Sequence, residues 1–249
     1  MAKYSIGIAL GGGGARGYAH LGVLQALKEK GIEADIYSGT SAGAIVGAFM
    51  ASDMDPKEVF KLMKRNSLFD FAKLTIPSIG LFSLDNLTKH LKKHIQYENL
   101  EDLPKPLIIT ASNMFSGKVR YFENGPLLQA VQASSSIPVL FAPVEIEGEL
   151  YNDGGIFDNL PFKPLEKKCD HVIAIHISPI RPITQLKNLA QVAARTFELS
   201  INGHIEEIRN EKRTIIAPKG VEGFDLLDAK NADKLFEIAY DHTKNLDLS

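Results

Sequence analysis

The stretch Gly39-Thr40-Ser41-Ala42-Gly43 sets a serine between two glycines in the pattern Gly-x-Ser-x-Gly. In this pattern a sharp turn between a strand and a helix holds the serine hydroxyl out of the sheet as a nucleophile, and the flanking glycines avoid clashes in the turn. The N-terminus of the following helix adds amide donors and partial positive charge. The motif alone also suits an N-cap serine in a glycine turn.

A second glycine-rich stretch, residues 11–14, follows the first predicted strand. Glycine loses more backbone freedom on folding than any other residue, so four in succession need a reason. An acyl-transfer serine requires N–H donors for the oxyanion of its tetrahedral intermediate, and bare backbone amides can supply them. We therefore expect an oxyanion hole formed by Gly12, Gly13 and Gly14, with the positive charge of Arg16 beside it. A surface ion pair is the alternative role for Arg16.

A nucleophilic serine also needs a base. The chain has seven histidines, and none lies in a glycine turn that would hold it rigidly. Asp153 does lie in such a turn, because Gly154 and Gly155 follow it at the end of a strand-like run. The glycines allow a tight turn and leave the carboxylate open to a partner, although an ordinary turn aspartate is the alternative.

The first glycine motif also fits the dinucleotide fingerprint Gly-x-Gly-x-x-Gly, at Gly12, Gly14 and Gly17. That interpretation requires an acidic residue at the end of the second strand, about 20 residues further on. Glu33 and Asp35 stand at the start of that strand, which is the wrong end to meet a ribose. A nucleotide-binding oxidoreductase and a non-catalytic regulator on the same fold remain the alternatives to a hydrolase.

These motifs must be positioned by the elements around them. Short apolar strands alternate with helices, which predicts an α/β fold with a central, mostly parallel sheet flanked by helices on both faces. No repeat or linker interrupts the chain, so we expect a single domain over residues 1–249. The predicted strands are 5–10, 34–38, 106–113, 118–122, 139–146, 149–152, 170–178 and 214–217. The predicted helices are 17–30, one from residue 41 or 42 to 51, one from residue 56, 85–97, 126–133, 185–212 (as one helix or two) and 231–245.

Taken together and in this order, the three motifs resemble the patatin-like phospholipases. Members of that family carry a glycine-rich oxyanion loop, a Gly-x-Ser-x-Gly serine and an Asp-Gly-Gly aspartate, which match residues 12–17, 39–43 and 153–155 here. Residues 133–144 resemble a further block of the family, and the likeness covers about residues 5–180. It implies a three-layer α/β/α hydrolase in which Ser41 is the nucleophile and Asp153 the base of a dyad without histidine.

The resemblance further implies hydrolysis of the carboxylic esters of lipids, of the phospholipase A, lysophospholipase or esterase type, with no cofactor and no metal. The formal net charge is −2 and no long Lys/Arg block occurs, so nucleic acid is not an expected partner. One cysteine, Cys169, provides no disulfide framework. No signal peptide or membrane span is evident, so we expect a cytoplasmic protein, with peripheral membrane contact left open. The oligomeric state has no sequence signal.

Residues 68–84 are apolar but aperiodic and predict a loop with large side chains. Phe69, Phe71, Leu81 and Phe82 are the candidate substrate-binding side chains, lining an acyl-chain channel or touching a lipid surface. The Lys-rich helix that follows suits anionic head groups. Completion of the hydrophobic core is the alternative role for these side chains.

Overall fold

The computed structural model describes residues 2–65, 84–201, 213–227 and 229–248. The four predicted substrate-binding residues, Phe69, Phe71, Leu81 and Phe82, therefore lie outside the described residues. The same holds for the C-terminal part of the predicted helix 185–212.

An eight-stranded mixed sheet occupies the centre of the fold. Its strands are β1 (Tyr4–Leu10), β2 (Ile36–Thr40), β3 (Leu107–Asn113), β4 (Lys118–Phe122), β5 (Val144–Ile146), β6 (Glu149–Asp153), β7 (Cys169–Ile175) and β8 (Arg213–Ile216). The order is β5-β6-β3-β2-β1-β7-β8, with β4 paired to β3. The five strands β3, β2, β1, β7 and β8 run parallel, and β4, β5 and β6 pair antiparallel. The predicted α/β fold with a mostly parallel sheet is confirmed.

Helices connect and cover the strands. They are α1 (Tyr18–Glu29), α2 (Ala42–Ala51), α3 (Pro56–Arg65), α4 (Asp85–Lys92), α5 (Leu127–Ser134), α6 (Lys163–Glu166), α7 (Leu189–Ile201) and α8 (Ala232–Lys244). Short 3₁₀ turns form at Gly14–Gly17 and Gly154–Ile156. Both turns follow strands that lead into the candidate site.

The sheet is buried on both faces because its strands alternate between two apolar clusters. Leu10 and Ile8 of β1 belong to the larger cluster, which includes residues of α1, α2, α5 and α8, whereas Ala9 between them belongs to the smaller one. The smaller cluster contains Leu160, Phe162 and Leu165, the last of these on α6. Successive side chains of a strand point to opposite faces, so continuous apolar runs are what a sheet covered on both sides requires.

Two predicted elements are shorter than expected. The predicted strand 139–146 is formed only at Val144–Ile146, because Pro138 and Pro143 cannot donate to a ladder and Val139 has a φ of 71°. The predicted helix 85–97 ends at Lys92. The other predicted strands and helices are present with shifted ends wherever the structure describes them.

Candidate active site

The glycine loop and Ser41 meet at the carboxyl edge of the parallel strands. Leu10, the last residue of β1, pairs with Gly39 of β2, so the segments that leave these two strands start side by side. A Cβ added to Gly12 would lie 3.3 Å from the Ser41 Cβ. The structure therefore brings the predicted oxyanion loop into contact with the predicted nucleophile.

Ser41 sits on a strained turn between β2 and α2. Its φ of 55° and ψ of −121° are unusual for a residue with a side chain. The turn is closely packed, because a Cβ at Gly43 would lie 2.0 Å from the Leu10 carbonyl oxygen and one at Gly39 would lie 2.5 Å from the Gly43 carbonyl oxygen. Both glycines of the motif are thus required by backbone contacts, and the strand–turn–helix context expected for a nucleophile is present.

Asp153 lies near Ser41 because the strands that carry them, β6 and β2, pair with the same edge of β3. Strand β4 pairs along residues 109–113 of β3, so it occupies one edge of that strand. The other edge is divided between β2 and β6: Thr110 pairs with Thr40, and the next residue, Ala111, pairs with Asp153. Strand β6 runs antiparallel to β3, and its last residue, Asp153, therefore lies just beyond the end of β2, the strand that leads into Ser41.

The Asp153 carboxylate is fully buried. Its Oδ1 accepts a hydrogen bond of 2.8 Å from the Gly155 amide, whereas Oδ2 has no hydrogen bond of ordinary geometry among the described residues. Burial raises the pKa of Asp153 to about 7, and contacts with the Ser41 hydroxyl and the Gly155 amide offset only part of that rise. The site thus pairs a serine hydroxyl with a carboxyl group that titrates near neutral pH.

The end of α5 fixes the backbone of both residues. The Ser41 amide donates to the Ser134 hydroxyl at 2.9 Å, and the Asp153 amide donates to the Ser136 carbonyl at 2.9 Å. Ser134 and Ser136 lie in residues 133–144, the block that resembles the family, but no motif indicated an individual role for either of them. Their signal was the run of three serines that ends a short helix.

The glycine loop offers two unused amides. The Gly12 amide donates to the Asn159 carbonyl at 3.0 Å and the Arg16 amide to the Gly13 carbonyl at 3.1 Å. Among the residues that the structure describes, the amides of Gly13 and Gly14 have no acceptor. Of the four residues predicted for the oxyanion hole, these two keep a free main-chain donor, while the other two amides stabilise the loop.

The Arg16 side chain braces the loop from within the protein. It is 2% exposed, its Nε donates to the Phe224 carbonyl at 2.9 Å, and its Nη1 lies 2.9 Å from Glu198 Oε1 on α7. Burial lowers the pKa of Arg16, and Glu198 counteracts that effect. The alternative of a surface ion pair is wrong in its location, because both partners are buried.

Two histidines near the loop are neutral. His20 is fully buried and its Nε2 lies 2.7 Å from the Gly11 carbonyl oxygen. Burial lowers the pKa of His20 and of His176 to about 4. In the described part of the chain neither imidazole has a hydrogen bond to Ser41 or Asp153, and no group of three or more His, Cys, Asp or Glu could hold a metal ion.

The comparisons with known proteins show the family of the chain. The family model for patatin-like phospholipase matches residues 8–166, and the chain belongs to that family. An uncharacterized NTE family protein of Mycobacterium tuberculosis is 34% identical over 176 residues, which are 70% of this chain and 49% of that protein. The lysophospholipase nte1 of Emericella nidulans is 27% identical over 272 residues, covering 96% of this chain and 18% of that protein.

The chain thus spans about half the length of the mycobacterial relative and a smaller part of the fungal one. Among solved structures, VipD from Legionella pneumophila superposes with a TM-score of 0.55 at 18% identity, covering 97% of this chain and 66% of that one. The match to VipD supports the fold.

Proposed function

We propose that the protein is a serine acyl hydrolase that cleaves carboxylic ester bonds of lipids, of the phospholipase A, lysophospholipase or esterase type. The observation that carries the proposal is the placement of Ser41, on a strained turn, against a buried carboxyl group whose pKa is about 7. Family membership and the relative named a lysophospholipase support the lipid substrate.

In the proposed reaction the Ser41 Oγ attacks the ester carbonyl carbon while its proton moves to the Asp153 carboxylate. The carbonyl π electrons move to the oxygen, and the amides of Gly13 and Gly14 stabilise the resulting oxyanion. When the intermediate collapses, the alcohol leaves with the proton from Asp153. Water then attacks the acyl-serine in the same manner, and the fatty acid is released.

The raised pKa explains how a carboxylate can serve as this base. An aspartate with its ordinary pKa near 4 is a poor proton acceptor for a hydroxyl. At a pKa of about 7, Asp153 is more basic and still half ionised at neutral pH. The burial that raises the pKa of Asp153 therefore serves the proposed chemistry directly.

The test compares Ser41→Ala with Ser52→Ala, a serine just after the other end of α2. A fluorophosphonate probe should label the wild type and Ser52→Ala but not Ser41→Ala. The same pattern is expected for hydrolysis of phosphatidylcholine, lysophosphatidylcholine and monoacylglycerol, followed by mass spectrometry. Equal labelling of Ser41→Ala would refute the assignment of the nucleophile. NAD(P)H binding without any labelling would favour the oxidoreductase instead.

We also propose that the protein acts in the cytoplasm, on lipid at a membrane surface. None of the helices in the described ranges is long and apolar enough to cross a bilayer. Exposed large apolar side chains follow the carboxyl ends of β3 and β7 and the Asp153 turn, at the edge of the sheet that carries Ser41. They include Met114, Phe115, Ile156, Phe157, Ile180, Ile183 and Leu186.

Such side chains suit shallow insertion into a lipid interface. The double variant Met114→Ser/Phe115→Ser changes the tip of the β3–β4 hairpin. It should co-sediment less with phosphatidylcholine/phosphatidylglycerol vesicles than the wild type, while its turnover of a water-soluble ester stays the same. Unchanged co-sedimentation of this variant would argue against membrane contact at the hairpin.

A further inference from the structure

Asn159 is a buried polar residue with no partner for its side chain. It follows the Asp-Gly-Gly turn and is 5% exposed. Neither Oδ1 nor Nδ2 of its carboxamide has a hydrogen-bond partner among the described residues. Neither the type nor the spacing of Asn159 in the sequence indicates a role for it.

A buried carboxamide without partners is unfavourable. The group has two N–H donors and a carbonyl acceptor, and its transfer out of water without compensating hydrogen bonds costs free energy. Most buried polar side chains in folded proteins are paired, so an exception calls for a ligand or an ordered water. Within the described ranges, the free carboxamide of Asn159 therefore leaves a hydrogen-bonding position open to a ligand.

The carboxamide lies beside both the predicted nucleophile and the predicted base. A Cβ on Gly12 would lie 2.4 Å from the Asn159 Oδ1 and 3.3 Å from the Ser41 Cβ. A Cβ on Gly155 would lie 3.0 Å from the same Oδ1 and 3.1 Å from the Asp153 Oδ1. The carboxamide thus fills the space left by two glycines, one beside the nucleophile and one beside the carboxylate.

The backbone holds this side chain in place independently of its polar atoms. The Asn159 carbonyl accepts the Gly12 amide at 3.0 Å, which ties the residue to the glycine loop. Rotation of the carboxamide exchanges its oxygen and nitrogen, and the hydrogen-bond partners decide which end faces the site. A substrate acceptor would select the orientation that presents the NH₂ group.

We propose that the Asn159 carboxamide contacts the substrate and donates a hydrogen bond to the ester carbonyl oxygen as that oxygen becomes the oxyanion. This inference rests on the proposed acyl hydrolase function. In the step concerned, the Ser41 Oγ–carbon bond forms, the carbonyl π pair moves to the oxygen, and the serine proton goes to Asp153. Asn159 donates throughout and exchanges no proton. It is then a side-chain donor beside the amides of Gly13 and Gly14.

The test uses Asn159→Leu, which keeps the branched shape of the side chain and removes its polar group, and Asn159→Ser, which keeps a donor. For a soluble nitrophenyl ester, kcat/KM of Asn159→Leu should fall by about 10²–10³-fold, the effect of losing one oxyanion donor. The Ki of a trifluoromethyl ketone, whose adduct with Ser41 carries an oxyanion, should rise by the same factor while KM stays nearly constant. Asn159→Ser should recover part of the lost kcat/KM.

Thermal unfolding separates this role from a structural one. Replacement of an unpaired buried polar group by an apolar group is neutral or stabilising, so the Tm of Asn159→Leu should equal or exceed that of the wild type. Asn152→Leu is the matched control, because Asn152 is equally buried and points to the opposite face of β6 from Asp153. Its kcat/KM should stay within about threefold of the wild type.

An unchanged kcat/KM and ketone Ki in Asn159→Leu would overturn the proposal. So would a slowed deacylation with a normal burst of nitrophenol, because that result assigns Asn159 to the hydrolytic water. A lower Tm in both Asn159 variants, without partial rescue by serine, would assign it to structure alone. A wild type that hydrolyses no ester and resists the fluorophosphonate would instead refute the hydrolase function itself.

Discussion

Replacement of Asp153 by Asn should make the protein more stable at neutral pH while it removes the base. Burial raises the pKa of Asp153 from 3.8 to about 7 in the folded protein. Between these two values the unfolded chain is ionised at this position and the folded chain is not, so stability falls as the pH rises. The penalty is absent below pH 3.8 and complete above pH 7.

The size of the effect follows from the pKa. At 1.36 kcal/mol per pH unit, a rise from 3.8 to about 7 corresponds to roughly 4 kcal/mol. The asparagine has no charge to bury and keeps an oxygen for the Gly155 amide. The free energy of unfolding of Asp153→Asn minus that of the wild type should therefore grow with pH by about 4 kcal/mol and then level off.

Urea unfolding of both proteins at pH 4, 5, 6, 7 and 8, followed by circular dichroism, measures this difference. Other titrating groups, such as His20 and His176, are common to both proteins and cancel in the subtraction. In parallel, kcat/KM of the wild type should fall about tenfold per pH unit below pH 7, and Asp153→Asn should lose about 10²–10⁴-fold. A stability difference that does not change with pH, or an activity that persists unchanged to pH 5, would refute a raised pKa at Asp153.

Three further substitutions test the support of the site. Gly14→Ala combines a φ of 53° with a Cβ 2.3 Å from a carbonyl oxygen, so urea unfolding should show a loss at least about 2 kcal/mol larger than in Gly117→Ala, where φ is 64° and nothing lies within 4 Å. Ser134→Ala leaves the buried amide of the nucleophile without its acceptor and should cost about 1–3 kcal/mol in the same assay, with reduced ester turnover. Arg16→Met removes one of the two arginines that, in the described ranges, pair with the buried Glu198, while Arg195 Nη1 stays 2.7 Å from its Oε2; the substitution should cost about 1–3 kcal/mol by thermal unfolding, part of which the double variant Arg16→Met/Glu198→Leu should restore. Equal losses of stability in the two glycine variants would contradict the close contact at Gly14. Full stability of Ser134→Ala would contradict its hydrogen bond to the Ser41 amide, and no recovery of stability in the double variant would contradict the Arg16–Glu198 pair.

Local patterns in the sequence predicted most of the fold. Apolar runs that end in glycine gave β1 and β2, and the Gly-x-Ser-x-Gly spacing gave the turn that presents Ser41, because each of these signals lies within a few residues. The positions at which a predicted strand is interrupted were harder to predict. Val139 takes a positive φ after Pro138, which the propensity of valine for strands argues against.

Local sequence patterns could not predict the long-range contacts that bring the residues of the site together. Arg16 pairs with Glu198, far along the chain, and no motif marks that glutamate as its partner. The division of one β3 edge between β2 and β6 depends on long-range pairing, which the sequence leaves open. The buried position of Asn159 likewise follows from the glycines around it, and only the folded structure brings those glycines together.

Strands β2 and β6 pair with consecutive residues along one edge of β3. The hydrogen-bond register of this pairing, and not the length of the intervening chain, therefore sets the distance between Ser41 and Asp153. A segment inserted in a connection between the elements that separate β2 from β6 leaves that spacing intact as long as Ala111 still pairs with Asp153. A slip of β6 by a single residue would displace the carboxylate by about 3.3 Å and turn it toward the other side of the sheet. The fold can therefore accept long additions in its connections, but it cannot tolerate a one-residue shift in the pairing of β6 with β3.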